Sequence, residues 1–108
     1  MASNHSYLNY RQLNCDIRPQ QLEILQALLP KGHVEGKVYV AANPWKQRCN
    51  PEAQICYSLR TGRWYDHVGP DGGHGIVSLR AYLRRESEYA AALSIINKLW
   101  GVEDDWLV

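Results

Sequence analysis

The sequence predicts one α+β domain: a small three-stranded antiparallel sheet packed with one N-terminal helix and two C-terminal helices. Three observations predict it. Apolar residues recur at helical spacing near both ends of the chain, in Leu22, Leu25, Leu28 and Leu29 and again in Ile76, Leu79, Leu83, Leu93, Ile96 and Leu99. Short alternating segments bounded by Asn, Pro, Thr and Gly lie between them. The length, 108 residues, suits a single core of two layers and is too small for two independent ones.

Residues 1–15 carry Ser, Asn and His with no sustained period and read as a flexible segment ahead of a domain spanning 16–102. Asp16 or a neighbour caps a helix from Arg18 to Leu29, with Pro19 in its first turn, a face of leucines beside Ile24, and Pro30 and Gly32 at its end. Val38 and Val40 alternate with Lys37 and Tyr39 as a strand that stops at Asn43-Pro44, and a loop follows to Pro51. Ile55 to Leu59 and Arg63 to His67 form a hairpin about Thr61-Gly62. The glycine-dense run Gly69 to Gly75 reads as a loop opening a helix through Ile76, Leu79, Ala81, Tyr82 and Leu83, and Ser87 caps a last helix reaching Gly101. The acidic, Trp-containing tail 103–108 is a docking strip or a frayed end.

Composition narrows the function classes. Net charge is +1, so no bulk field holds the chain on a polyanion and any nucleic-acid site has to be a local patch. No window approaches the roughly 20 apolar residues of a membrane helix, and MASNHSYLNYRQLN has neither the cationic head nor the apolar run of a secretory signal, so a cytoplasmic protein without a membrane partner is expected. Cys15, Cys49 and Cys56 are an odd number in such a setting and read as free thiols. Four Trp and seven Tyr stand against no Phe. Rings that carry a donor suit half-exposed positions, in stacking platforms or at the rim of a core.

The segment from Asn43 to Gly101, with NPWK, then CYSLRTGRWYDHVGPDGGHGIVSLRAYL, then an Ala-rich helix, resembles the zinc-ribbon domain of bacterial and phage DNA primases. That family runs through a Cys-Pro-aromatic-His loop, a hairpin, a Cys-x-x-Cys turn, a Gly-Gly-Asp step and two helices. Pro44 and Trp45 match, Asn43 and Lys46 stand where the first two ligands belong, and His67 and Pro70 stand where the second Cys pair belongs. The chain is more similar still to zinc-less variants of the domain in primases and primase-helicases of phages and mobile elements. Asn43, Pro44, Leu59, Thr61, Gly62, Trp64, Asp66, Gly72, Gly73, Ser78, Leu79, Ala81, Tyr82 and Leu83 fit their pattern, and Leu28 to Gly32 fits its lead-in. The resemblance implies a zinc-ribbon-like sheet without zinc, and a role in template recognition.

Structural zinc takes four converging Cys or His ligands. An atypical set of Cys49, Cys56, His67 and His74 has six residues inside each pair, against the usual roughly two to five. No metal and no other cofactor is expected; Cys56 then reads as a small buried hydrophobe and His74 as an exposed turn residue. The expected nucleic-acid site is the hairpin. Arg60 and Arg63 flank its turn, Tyr57, Trp64 and Tyr65 supply π-faces, and Lys46 and Arg48 lie in the loop that packs beside it in the resembled fold. Cations with aromatics between them suit a single strand, by phosphate neutralisation and base stacking. Trp64 alternatively organises the core in place of a metal. Arg80, Arg84 and Arg85 read as a solvated face, and Gly69 to Gly75 lacks the Lys-Ser/Thr of a nucleotide loop. The expected function is a non-catalytic module that binds single-stranded DNA weakly and salt-dependently, beside a separate polymerase or helicase subunit. The alternative is a protein-interaction or regulatory protein of a phage or mobile element. No nucleophile with a neighbouring base argues for an enzyme.

Overall fold

The computed structural model describes residues 9–100, and Asn9 begins its first helix by accepting a hydrogen bond from the Gln12 N–H at 3.0 Å. Helix α1 (Tyr10–Ile17) buries Leu13 and Ile17, and a 3-10 turn over Arg18–Gln20, with Pro19 in it, leads into α2 (Gln21–Leu28). The helical region thus starts at Tyr10, inside the segment expected to be flexible, and has two α-helices where one was expected. The proline turn explains the break, since Pro19 has no N–H to donate to a continuous helical ladder. Residues 1–8 and the tail 103–108 lie outside the described residues.

Five strands follow: β1 (His33–Glu35), β2 (Val38–Ala42), β3 (Gln54–Ser58), β4 (Arg63–Asp66) and β5 (Gly72–His74). They pair antiparallel in sequence order, so each strand's neighbours in the sheet are its neighbours in the chain. The expected three-stranded sheet is therefore the centre of a five-stranded one, and the zinc-ribbon-like outline gives way to an α+β meander. Both extra strands are three-residue edges without an apolar alternation. Gly72 and Gly73 have low β propensity, and β5 pairs because it has to pass close to the core. A Cβ on Gly73 would clash with Ser78 Oγ and stand 2.9 Å from Trp64 Nε1.

Strand alternation sorts the side chains onto two faces. Tyr39, Ala41, Ile55, Tyr57, Trp64 and Asp66 point to one, where α3 (Ile76–Arg84) and the N-terminal helices cover them. The core is completed by Leu25, Leu29, Ile76, Leu79 and Leu83, and by Ala91, Ala92, Ile95 and Ile96 of α4 (Glu88–Trp100). The Tyr39 hydroxyl donates to the Leu29 carbonyl at 2.7 Å, which satisfies a polar tip inside this layer. Ser87 caps α4 as its sequence position suggests, its Oγ accepting from the Ala90 N–H at 3.1 Å. No helix of the described residues is long and apolar enough to cross a membrane.

Candidate nucleic-acid interface

Residues 59–62 connect β3 to β4. Gly62 N–H donates to the Ser58 carbonyl at 2.8 Å, Thr61 N–H to Ser58 Oγ at 3.1 Å, and Arg63 N–H to Thr61 Oγ1 at 3.2 Å. The Arg18 guanidinium donates to the carbonyls of Leu59 and Arg60, and the Gln21 amide donates to Leu59 at 2.8 Å. The turn is thus held by its own bonds and by the N-terminal helices, while the Arg60 side chain stays exposed.

On β4, Trp64 and Asp66 point inward, so Arg63 and Tyr65 point out to the uncovered face. The register sets Arg63 opposite His74 and Tyr65 opposite Gly72, which places Arg63, Tyr65 and His74 on one open patch. Tyr65 is 55% exposed, and a glycine beside it leaves its ring unobstructed on that side. The open-face positions of β3, β4 and β5 are Gln54, Cys56, Ser58, Arg63, Tyr65, Gly72 and His74, with no carboxylate among them.

The other expected site residues lie elsewhere, for physical reasons. Tyr57 and Trp64 have the inward parity, and Trp64 is 3% exposed with its ring 5.1 Å from that of Tyr82, so neither ring is free to stack on a base. Trp64 is the core organiser of the two roles open to it. Burial pushes the Tyr57 hydroxyl up to about 12, with Arg18 opposing the rise. Lys46 and Arg48 sit in the loop 43–53 between β2 and β3, which is at the opposite end of β3 from Arg60. Five residues at about 3.3 Å each separate these ends by roughly 15 Å, so the two basic groups form no single patch. Arg48 is exposed there, and Lys46 is engaged.

What engages Lys46 is a polar clasp that the sequence did not reveal. Asn43 is fully buried. Its Nδ2 donates to the Asp66 carboxylate and, at 2.9 Å, to the Tyr82 hydroxyl, while its Oδ1 accepts the Trp45 N–H at 3.0 Å. Tyr82 donates on to Asp71 Oδ2 at 2.8 Å, and Lys46 Nζ lies 3.2 Å from Asp71 and 3.5 Å from Asp66. Burial alone would raise the Asp66 carboxyl, but the Val68 N–H, the Asn43 amide and Lys46 together hold it below the ordinary range. Hydrogen bonds from Tyr82 and Lys46 depress Asp71 as well, and the bond to Asp71 chiefly raises Lys46. Above the clasp, Trp45 Nε1 donates to the Leu83 carbonyl at 3.0 Å, and the Arg85 guanidinium stacks 3.9 Å from the Trp45 ring. The loop 43–53, the turn 66–71 and α3 are joined at this point.

Cys49 lies exposed in the loop, Cys56 in β3, His67 just beyond β4 and His74 in β5. Among the described residues no three Cys, His, Asp or Glu side chains group to hold a metal ion. His74 belongs to the open patch and Arg18 to the turn, although the sequence assigned neither to nucleic-acid binding and offered His74 only as a member of the atypical metal set; the two-residue parity of β4 and its partner was the signal for His74. No family model, no curated protein and no solved structure matches the chain, so its function has to follow from this geometry.

Proposed function

We propose that the chain is a non-catalytic module that binds single-stranded DNA, working beside a separate polymerase or helicase subunit. The observation that carries the reading is the open patch of Arg63, Tyr65 and His74 next to the locked turn bearing Arg60, with no carboxylate on that part of the sheet face. Two arginines neutralise phosphates while an exposed tyrosine ring offers a surface on which an unpaired base stacks. The sequence motifs that resemble primase template-recognition domains point to the same class of ligand. Tyr57, Trp64 and Lys46 serve this site by shaping the sheet, and Arg60, Arg63, Tyr65 and His74 touch the strand.

A fluorescence-anisotropy titration of labelled strands at several salt concentrations tests this. A single strand should bind better than a duplex of equal length, weakly, and less well as salt is added. Replacing Arg60 and Arg63 together by Ala should flatten the salt dependence by about one unit of slope for each phosphate no longer neutralised. Tyr65→Ala should weaken binding at every salt concentration with little change in slope, because stacking releases no counterions. Absence of binding at low salt would overturn the reading and favour the protein-interaction role.

A further inference from the structure

A cavity of about 360 Å³ opens between α1, the β3–β4 turn and the start of α3, lined by Arg11, Asn14, Arg18, Tyr57, His74 and Gly75 together with Cys15, Gln21, Thr61 and Gly62. Its chemistry is one-sided. Its lining carries two guanidiniums, an imidazole, a phenol, two amides, a hydroxyl and a thiol, and among the described residues no Asp or Glu. Arg11 and Arg18 are seven residues apart, two helical turns, which brings both to the same wall. Arg18 is braced by the Leu59 and Arg60 carbonyls through one of its nitrogens, and its other donors have no partner among the described residues.

The other walls fit an anion equally well. The Tyr57 hydroxyl lies beside Gly62, within 3.5 Å of where a Cβ on that residue would stand. This hydroxyl, like any tyrosine's, is protonated at neutral pH and hence a donor. Asn14 lines the cavity with its amide, whose Oδ1 is buried without a hydrogen-bond partner among the described residues. Gly75 adopts φ +96°, and a Cβ there would stand 2.7 Å from the Asn14 amide, so only glycine lets the backbone pass this close.

We infer that this cavity receives a phosphate monoester, the terminal phosphate of a nucleic-acid strand or of a nucleotide. A monoester carries about −1.5 to −2 charges at neutral pH, where a backbone diester carries one, and a pocket with two arginines and no carboxylate favours the greater charge. The volume exceeds that of a phosphate alone and is of the size that holds a small ligand. His74 lines both this cavity and the hollow along β4 and β5, which Asp66 and Asp71 border on its far side, so a strand lying on Arg63, Tyr65 and His74 reaches the cavity mouth. The strand form rests on the single-strand reading above; the phosphate chemistry of the cavity does not.

The test compares one oligonucleotide carrying a 5′-phosphate, a 3′-phosphate or hydroxyls at both ends, by anisotropy at constant salt. One phosphorylated form should bind roughly tenfold tighter than the hydroxyl form, the effect of one added charge-assisted hydrogen bond. Arg11→Ala should abolish that difference, whatever it does to the affinity of the hydroxyl strand. In a second arm, a nucleoside 5′-monophosphate and inorganic phosphate are titrated while the backbone amide signals of Gly62, His74 and Gly75 are followed by NMR. Shifts at these positions that Arg11→Ala removes support the cavity as a phosphate site, and their absence overturns it. Equal affinity for all three strands overturns strand-end recognition and leaves the single-strand reading intact. Failure of every strand to bind overturns that reading and leaves the second arm to decide the cavity.

Discussion

Asn43→Ala is the perturbation that bears most directly on how the two loops are held. It removes one hydrogen bond to the ionised Asp66, one to Tyr82 at 2.9 Å and one from the Trp45 N–H at 3.0 Å, all from a fully buried side chain. A bond to a charged acceptor contributes roughly 1.5–3 kcal/mol and a neutral one about 1 kcal/mol; with water entering to replace part of the loss, about 3 kcal/mol remains. A domain of this size has roughly 5–15 kcal/mol in total, and each kcal/mol moves its midpoint by about 4–8 °C. Thermal and urea unfolding followed by circular dichroism should therefore show a midpoint lower by roughly 12–24 °C. Asn43→Asp adds a sign. Two carboxylates would then face each other, raising the folded-state pKa of one of them above its unfolded value. That variant should gain stability as pH falls from 7 toward 5 and lose it as pH rises through the raised value. A loss below about 1 kcal/mol for Asn43→Ala, or an Asn43→Asp variant indifferent to pH, would refute the clasp as the fastener of this region.

Trp64→Ala should cost on the order of 3–5 kcal/mol in the same unfolding assay, as large aromatic deletions in cores do. Trp64→Phe removes an indole N–H that has no partner among the described residues and keeps most of the ring, so it should cost less than Trp64→Ala; a loss below about 1 kcal/mol for Trp64→Ala would place the ring outside the core. Acid stability tests the carboxylates. Asp66 and Asp71 are depressed when folded, so their contribution is fully present above the ordinary carboxylate range near pH 4 and is lost as pH falls through their folded-state values. Asp66→Asn should flatten the acid limb of midpoint against pH, and an unchanged limb would show that Asp66 is not held in the depressed state.

The α+β class, the β3–β4 hairpin and the Ser87 cap are legible in the sequence because each is written in local chemistry. The turn itself is four residues where Thr61-Gly62 suggests two, and Gly62 still supplies its closing N–H. β1 is exposed at all three positions, so it offers no alternation to read. β5 is a strand because Gly73 passes under the Trp64 indole, a relation between residues that only the fold brings together. For α1 the signal is present, with Asn9 as cap and Tyr10, Leu13 and Ile17 on one face, but three apolar positions among Arg, Gln and Asn make a short pattern. The basic and aromatic composition of the hairpin was visible, while its division was not. Parity along β4 separates Tyr65 from Trp64, and the length of β3 separates Arg60 from Lys46. The cavity joins Arg11 and Arg18, seven residues apart, to Tyr57 and His74 from β3 and β5, a grouping that no single window of sequence displays.

The sequential pairing order of the sheet also dictates how the chain finds its shape. Each strand zips onto the one before it, and the longest excursion between paired strands is the loop 43–53. Ring-closure entropy grows only slowly with such short spans, so the strands are able to assemble progressively without any distant encounter. The one costly closure is the docking of α1 and α2 on α3, across the whole sheet in sequence. Arg18 and Gln21 grip the Leu59 and Arg60 carbonyls in that same docking. The locking of the arginine-bearing turn therefore depends on the arrival of the N-terminal helices, which supply the bonds from Arg18 and Gln21.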